Sequence, residues 1–221
     1  MRDYKRITLL CGHYGSGKTN VAIKMAHEIK ESYENTVIAD LDIVNPYFRT
    51  KDSIEELKKA GIRLIVSEYA GTNVDIPALP QEMYSIIHDK SIKAVIDVGG
   101  DDRGALALGR LTPAIIKEND YEALLVINKF RPLTQDAQST LEVLREIETA
   151  CGIKMTGIIN NSNLGNETTA EDITGSLKYA NEVSEVTGLP VIATAVHETL
   201  LSEVEGKIEN VMPLKLQSKI N

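Results

Sequence analysis

The chain has 221 residues, 43% of them hydrophobic, and carries a formal net charge of −8 at pH 7. A chain of this length can bury a core of ordinary size, and the simplest expectation is one domain over residues 1–221. The acidic balance argues against general nucleic-acid binding, because a surface that follows phosphates needs an excess of Lys and Arg.

The sequence has no apolar run of about 18 residues and no apolar signal-peptide region near its start. Its two cysteines, Cys11 and Cys151, lie far apart and lack metal-ligand spacing. We therefore expect a cytoplasmic protein with reduced structural thiols and without a zinc or iron–sulfur site. The stretch 211–220 is short and broken by Pro213, which favours a packed tail over a membrane anchor.

Short runs rich in Val, Ile and Leu alternate along the chain with longer stretches of helical periodicity. We predict strands at Ile7–Cys11, Val37–Leu41, Arg63–Val66, Ala94–Val98, Ala123–Ile127, Met155–Ile159 and Val191–Ala195. The intervening helices are predicted at Lys18–Tyr33, Ser53–Ala60, Gln81–His88, Gly104–Lys117, Gln135–Ala150 and Thr169–Thr187. Because the apolar runs are continuous, both faces of each strand should be covered. The sequence therefore predicts a doubly wound α/β fold with a mostly parallel sheet of about seven strands and helices on both faces.

Two of the predicted helices begin with the spacing of a capping box, in which a hydroxyl residue precedes an acid by three positions. The two pairs are Ser53 with Glu56 and Thr168 with Glu171. Gly188 follows the last predicted helix, as glycine commonly does at a helix end.

The segment directly after the first predicted strand has the spacing of a phosphate-binding loop, Gly-x4-Gly-Lys-Thr. In such a loop, successive backbone N–H groups surround the phosphates, and the following helix points its positive end at them. Lys18 would reach the β- and γ-phosphates, and the Thr19 hydroxyl would coordinate Mg²⁺. The candidate nucleotide-binding residues of this segment are Gly12, His13, Tyr14, Gly15, Ser16, Gly17, Lys18, Thr19 and Asn20.

Acidic residues lie at the ends of two further predicted strands. Asp40 and Asp42 project from one face of an extended segment, where they can address Mg²⁺ or an attacking water, although one of them could serve only to cap the turn that follows. Asp97 ends an apolar run in the manner of a Walker-B acid, so we expect Thr19, Asp42 and Asp97 to hold the metal. Gly100 could donate its backbone N–H to the γ-phosphate and so sense hydrolysis.

Together these three motifs resemble the MinD/ParA/CobQ-type proteins of the SIMIBI class, which are relatives of nitrogenase iron protein and the arsenite-pump ATPase. The resemblance covers roughly residues 6–200. It implies an ATPase that uses ATP and Mg²⁺, with Lys18, Asp40 and Asp42 in the catalytic site and Asp42 positioning the attacking water. It also implies a protein client and a nucleotide-dependent homodimer.

The phosphate loop departs from the family pattern at His13 and Tyr14, where such proteins carry Lys-Gly and use that lysine across a dimer. His13 could perform a weaker version of this task, the dimer could be built differently, or the two positions could be permissive. An arginine finger could come from any of four residues, namely Arg49, Arg103, Arg110 and Arg131.

GTPases that select guanine commonly use Asn-Lys-x-Asp, whose Asp accepts hydrogen bonds from guanine N1 and N2. The fifth predicted strand is followed here by Asn128-Lys129-Phe130-Arg131, with Arg where that Asp is required. We therefore expect ATP rather than GTP. Family members often contact the purine through an Asn at the end of the next strand, which is Asn160 or Asn161 here, although both could simply form the turn.

Three uses of such a nucleotide site remain open. An ATPase switch acting on a protein client or cofactor-assembly partner needs the early Asp pair and the glycine of Asp-x-x-Gly, which are both present. An ATP-dependent carboxylate-activating synthetase or amidoligase of dethiobiotin or cobyrinate type also needs an acceptor pocket, for which residues 45–50 and 67–80 are candidates. The third use is a nucleotide sensor without catalysis.

Overall fold

Eight strands and eight α-helices make up the described part of the chain in a computed structural model, which covers residues 2–41, 51–66, 79–100 and 102–215. The strands are β1 (Ile7–Cys11), β2 (Thr36–Asp40), β3 (Arg63–Val66), β4 (Lys93–Asp97), β5 (Tyr121–Ile127), β6 (Gly157–Asn160), β7 (Val191–His197) and β8 (Val211–Leu214). The helices are α1 (Lys18–Lys30), α2 (Lys51–Lys59), α3 (Met83–His88), α4 (Asp102–Gly109), α5 (Thr112–Glu118), α6 (Ala137–Cys151), α7 (Ala170–Thr187) and α8 (Leu201–Val204).

The eight strands form one parallel sheet in the order β3-β2-β4-β1-β5-β6-β7-β8. The strands at its centre are mostly apolar, as expected where helices cover both faces, and every residue of β1 is buried. The predicted doubly wound α/β fold is confirmed. Its order puts β1 between β4 and β5, so the segments that follow these three strands meet at one edge.

Strand β8 is the eighth strand where about seven were expected. Among the described strands it pairs with β7 alone, and it contains Pro213, which an edge strand tolerates because one side of its backbone needs no partner. In the predicted packed tail at 211–220, Val211–Leu214 form a strand. Residues 216–221 lie outside the described ranges. None of the described helices is long and apolar enough to cross a membrane.

Successive side chains of the central strands enter two different hydrophobic cores. Ile7 and Leu9 of β1 pack with α3 to α7 on one face, whereas Leu10 packs with α1 and α2 on the other. Both cores contain fully buried side chains, such as Ile86 and Met25. β1 is consequently held from both sides, which fixes the position of the loop that follows it.

The helix predicted at Gly104–Lys117 is two helices, α4 and α5. Proline at position 113 lacks the N–H that would continue α4, and its ring would clash with the preceding turn. A new helix begins instead at Thr112, with Pro113 in its first turn. The Thr112 hydroxyl donates to the Cys151 carbonyl at 2.8 Å and so ties this junction to the end of α6.

Helix α7 begins one residue later than its predicted capping box. Thr169 is the N-cap, and it exchanges hydrogen bonds with Asp172, while the Thr168 hydroxyl donates to the carbonyl of Gly165. The predicted pair of Thr168 with Glu171 is therefore wrong. In α2 the helix already begins at Lys51, so Ser53 lies inside it rather than at its cap.

The Thr169→Ala variant is expected to lower the free energy of unfolding by about 1 kcal/mol, because the Asp172 N–H loses its acceptor. Glu171→Ala changes the same helical turn outside the capping box and should cost clearly less. Urea unfolding followed by circular dichroism measures both variants. Equal losses would show that the cap at Thr169 does not stabilise α7.

Candidate functional site

The phosphate loop, residues 12–19, lies where β1 passes into α1. Gly12 and Gly17 have φ of 150° and 83°, in the region that residues with a side chain avoid. A Cβ atom on Gly12 would lie 2.4 Å from the Val126 carbonyl oxygen, and one on Gly17 would lie 2.2 Å from Nδ2 of Asn161. The glycines at the two ends of the motif are thus required by the close approach of β5 itself and of the segment after β6.

Several hydrogen-bond donors of the phosphate loop fit an anion. Helix α1 starts after Gly17 without a side-chain cap and without an acidic residue in its first turn, so its N-terminal N–H groups and positive dipole end face the loop. Lys18 is only 5% exposed, and its ammonium donates to the carbonyls of Gly12 at 3.0 Å and His13 at 3.3 Å. The Ser16 hydroxyl is buried and has no hydrogen-bond partner among the described residues. Phosphate oxygens would satisfy these groups together.

Oxygen atoms that suit Mg²⁺ lie on the β4 side of the loop. The Thr19 hydroxyl donates to Oδ2 of Asp97 at 2.6 Å, and Asp97 is 1% exposed. Asp40 is also buried and pairs in register with Asp97 on the neighbouring strand. Hydroxyl and carboxylate oxygens are the ligands that Mg²⁺ prefers. Within the described ranges, no group of three or more His, Cys, Asp or Glu residues is placed to hold a metal ion. Asp42 lies outside them, so its predicted role stays a prediction.

The main chain after β4 lies directly against the phosphate loop. A Cβ atom on Gly100 would be 2.6 Å from the backbone nitrogen of Tyr14, and one on Gly104 would be 3.0 Å from the Leu41 carbonyl oxygen. Glycine is therefore needed at both positions to let three backbones meet. Gly100 lies beside the loop, and its predicted contact with a γ-phosphate stays a prediction.

His13 and Tyr14 lie on the outer side of the loop. Tyr14 is 60% exposed, and Nδ1 of His13 donates to the Tyr14 carbonyl at 3.1 Å. The suggestion that His13 performs a weaker version of the signature lysine's task remains a prediction. Of the candidate fingers, Arg49 and the side chain of Arg103 lie outside the described part, and Arg110 is exposed at the turn after α4.

The two asparagines at the end of β6 have different tasks. Asn161 donates its amide to the Ser16 carbonyl at 2.7 Å and so supports the phosphate loop. Asn160 is 0% exposed, donates to the Ser176 hydroxyl at 2.9 Å and accepts from the Ser162 hydroxyl at 2.7 Å. The proposed contact of Asn160 with a purine is therefore not available in this structure, because its amide is already bonded inside the core. Asn20 lies in the first turn of α1, partly exposed.

Arg131 is part of the site, although the sequence placed it only among candidate fingers. Its Nε donates to the Gly15 carbonyl at 2.8 Å. A signal for this contact existed, because Arg131 occupies the last position of an Asn-Lys-x-Asp-like segment directly after β5.

The two cysteines meet behind the phosphate loop. Both are buried free thiols in one core. A hydrogen bond to Cys151, together with burial, raises the pKa of the Cys11 thiol well above its usual range. Cys11 therefore stays protonated at neutral pH and packs as an apolar side chain.

Two cavities differ in size and in position. A small one of about 50 Å³ is lined by Gly12 and His13 of the loop, by Gly100 and by Glu146 of α6. A larger groove of about 760 Å³ lies at the opposite edge of the sheet, beside the first residues of β7 and β8. The larger groove is far from the phosphate loop, so its size says nothing about nucleotide binding.

The fold and the loop together define the class of this protein, a P-loop nucleotide-binding protein with an NTPase fold. A family model described as Zeta toxin matches residues 1–75, which include the phosphate loop but less than half of the chain. No curated protein matches the chain.

Solved structures of FtsY proteins are similar in fold. Chloroplast FtsY from Physcomitrella patens is 18% identical with a TM-score of 0.57, over 88% of this chain and 59% of that one. Cell division protein ftsY from Thermotoga maritima is 21% identical with a TM-score of 0.56, over 86% and 61%. Signal recognition particle receptor FtsY from Elizabethkingia anophelis is 17% identical with a TM-score of 0.53, over 87% and 58%. The chain thus spans less than two thirds of each neighbour, and the likeness concerns the fold. The narrower MinD/ParA/CobQ assignment stays a prediction.

Asn161→Ala should weaken the binding of a nucleoside triphosphate by roughly tenfold, because the loop loses the hydrogen bond to the Ser16 carbonyl. Asn160→Ala should leave that affinity within about threefold while lowering the melting temperature, because Ser176 and Ser162 lose buried partners. Calorimetric titration and thermal melts separate the two effects. An equal loss of affinity in both variants would contradict the different roles of the two asparagines.

Proposed function

We propose that this chain binds Mg-ATP in the phosphate loop, hydrolyses it and works as a nucleotide-dependent switch on a protein client. The observation that carries the proposal is the contact of the Gly100 backbone with the backbone of Tyr14. A segment that touches the phosphate loop at this point moves when the occupant of the loop changes, as a switch requires.

The segments after β2 and β4 are also joined to each other. The Leu41 N–H donates to the Asp97 carbonyl at 2.9 Å, and the Gly104 backbone of α4 closes on both segments. A change at the terminal phosphate would therefore reach the start of α4 through backbone contacts. Loss of the γ-phosphate on hydrolysis is the signal that such an arrangement can transmit.

Each role in hydrolysis has a candidate residue. Lys18 would neutralise the β- and γ-phosphates, and the Gly100 N–H would bind a γ-phosphate oxygen. Thr19 and Asp97 would hold Mg²⁺, with Asp42 as the third proposed ligand; when bound, the ion neutralises phosphate charge. Asp42, supported by Asp40, is proposed to orient the attacking water.

ATP is the proposed nucleotide because residue 131 is an arginine. An arginine has only N–H donors and cannot accept the hydrogen bonds of guanine N1 and N2, as an aspartate would. The FtsY neighbours are too distant in sequence to decide the base.

A protein partner fits the surface beside the site. Tyr14 of the loop and Leu106 of α4 are 60% and 61% exposed, although both are large and apolar. We propose these two side chains as contact positions for a partner that binds in one nucleotide state. A second copy of the chain is the alternative to a separate client.

A carboxylate-activating synthetase is the second candidate use. Its acceptor pocket would have to lie beside the γ-phosphate. Residues 45–50 and 67–78, in which the candidate acceptor loops fall, lie outside the described part of the chain.

Lys18→Ala should reduce Mg-ATP affinity by about 100-fold or more, because it removes the one buried cation of the described loop. Lys24→Ala serves as the control, since Lys24 is on the same helix but pairs with Glu28 away from the loop. Calorimetric titration of folded protein gives both affinities. An unchanged affinity in Lys18→Ala would remove the loop as the nucleotide site.

Asp42→Ala should bind Mg-ATP but release no phosphate, because the proposed water-orienting group is lost. Light scattering of this variant with ATP and with ADP then measures its mass, and a pull-down from source lysate under the same conditions identifies a client. A mass that differs between ATP and ADP, or a client captured with only one of the two nucleotides, supports the switch. Normal turnover in Asp42→Ala would assign the catalytic role to another residue. If the wild type releases phosphate only after a carboxylate substrate is added, the result favours the synthetase.

A further inference from the structure

The two cysteines of the chain form a buried pair directly behind the phosphate loop. Cys11 is the last residue of β1, and Cys151 is the last residue of α6. They are 1% and 0% exposed, and a hydrogen bond joins their thiols. The sequence contains no other cysteine, so a disulfide formed within one chain must join these two residues.

A small cavity gives a reagent access to this pair. The cavity of about 50 Å³ is lined by Cys11 and by Ala150, the residue before Cys151. Its lining also includes the half-buried His13 and the exposed Glu146, so the cavity reaches the surface. A cavity needs roughly 10–15 Å³ to hold one water, and hydrogen peroxide is little larger than water. A peroxide therefore fits beside the thiols.

The hydrogen bond between the thiols suits the pair to oxidation. The S–H of Cys11 donates to Cys151, and this hydrogen bond lowers the pKa of the Cys151 thiol. Cys151, as the thiolate, attacks the peroxide: an S–O bond forms, the O–O bond breaks, and the leaving hydroxide takes up a proton to become water. The product is a sulfenic acid at Cys151.

Cys11 is in position to complete the reaction. Its sulfur attacks the sulfenic sulfur of Cys151, so that an S–S bond forms, the S–O bond breaks, and the hydroxyl leaves as water with the Cys11 proton. In total the two thiols lose two hydrogen atoms, and the peroxide is reduced to two molecules of water.

The new bond would act on residues that are already anchored. An S–S bond measures about 2.05 Å, which is shorter than any hydrogen bond between two thiols, so the two sulfur atoms must move together. The Thr112 hydroxyl holds the Cys151 carbonyl at 2.8 Å, and Cys11 pairs in register with Leu125 of β5. The shortening therefore displaces the backbone next to one of these anchors.

Gly12 connects the pair to the groups that would bind phosphate. It follows Cys11 directly, and its carbonyl accepts a hydrogen bond from the Lys18 ammonium at 3.0 Å. A Cβ atom on Gly12 would lie 2.4 Å from the Val126 carbonyl oxygen, so the backbone has little free space at this point. A displacement at Cys11 therefore passes to Gly12 and changes the position of the Lys18 ammonium.

We propose that Cys11 and Cys151 are a redox-sensitive modification site, in which a peroxide converts the two thiols into a disulfide that distorts the start of the phosphate loop and weakens nucleotide binding. A small thiol reverses the modification by thiol–disulfide exchange and is itself oxidised to a disulfide. The loss of affinity rests on the proposed nucleotide-binding function, whereas formation of the disulfide does not depend on it.

Mass spectrometry of the intact chain measures the modification. After treatment with equimolar hydrogen peroxide, the full-length wild type should lose two hydrogen atoms and both of its free thiols, and it should remain a monomer on a non-reducing gel. Calorimetric titration with Mg-ATP should then give an affinity at least about tenfold weaker than that of the reduced protein. Dithiothreitol should restore both the mass and the affinity.

Cys151→Ser is the matched control, because it keeps a side chain of similar size but cannot form the disulfide. With folding confirmed by thermal melts, its affinity for Mg-ATP should change by less than about twofold on treatment with peroxide. An equal loss of affinity in this variant would assign the effect of peroxide to another residue and overturn the inference.

The wild type alone also decides the matter, even if the variant does not fold. The inference is wrong if both thiols stay free after treatment with peroxide, if the disulfide joins two chains, or if the disulfide form binds Mg-ATP as tightly as the reduced form. If the reduced wild type binds no Mg-ATP, the proposed function fails instead, and the mass still shows whether the disulfide forms.

Discussion

The parallel pairing of β1 with β4 on one side and with β5 on the other is the constraint on which the site depends. It brings the segments that follow the two neighbouring strands to opposite flanks of one loop. Thr19 meets Asp97 on the first flank, and Gly15 meets Arg131 on the second. The two flanks of the site are therefore separated by the sheet order itself. No side chain has to reach across the loop to create this separation.

The phosphate loop carries polar groups that the protein alone satisfies poorly. Among the described residues, the buried cation of Lys18 binds main-chain carbonyls and the buried Ser16 hydroxyl has no partner, while α1 starts without a side-chain cap. Buried polar groups and helix ends of this kind lower stability when they have no partner. A bound phosphate offsets that cost, so ligand binding and stability of this region are linked. The arrangement is preorganised for an anion.

Neighbouring residues in this site perform different tasks because one step along an extended chain turns the side chain to the opposite side. Asn160 bonds inside the core, whereas Asn161 supports the phosphate loop. Both fit the same turn pattern in the sequence, and nothing local separates them. The same one-residue uncertainty explains why the cap of α7 is Thr169 and not Thr168. Which of two adjacent polar residues faces a partner is decided by the elements packed around them.

The sequence by itself determined most strands and helices, the phosphate loop and the acid of β4, because hydrophobic periodicity and glycine spacing are local properties of the chain. It pointed to Asp97 and Gly100, which lie beside the loop and whose roles in binding stay predictions. Only the tertiary structure decided that Val211–Leu214 joins the sheet, since a short strand with a proline becomes stable only beside β7. Tertiary structure also decided that Arg131 rests on Gly15, more than a hundred positions earlier in the chain. Such contacts depend on strand order, and strand order results from packing the whole sheet between two layers of helices.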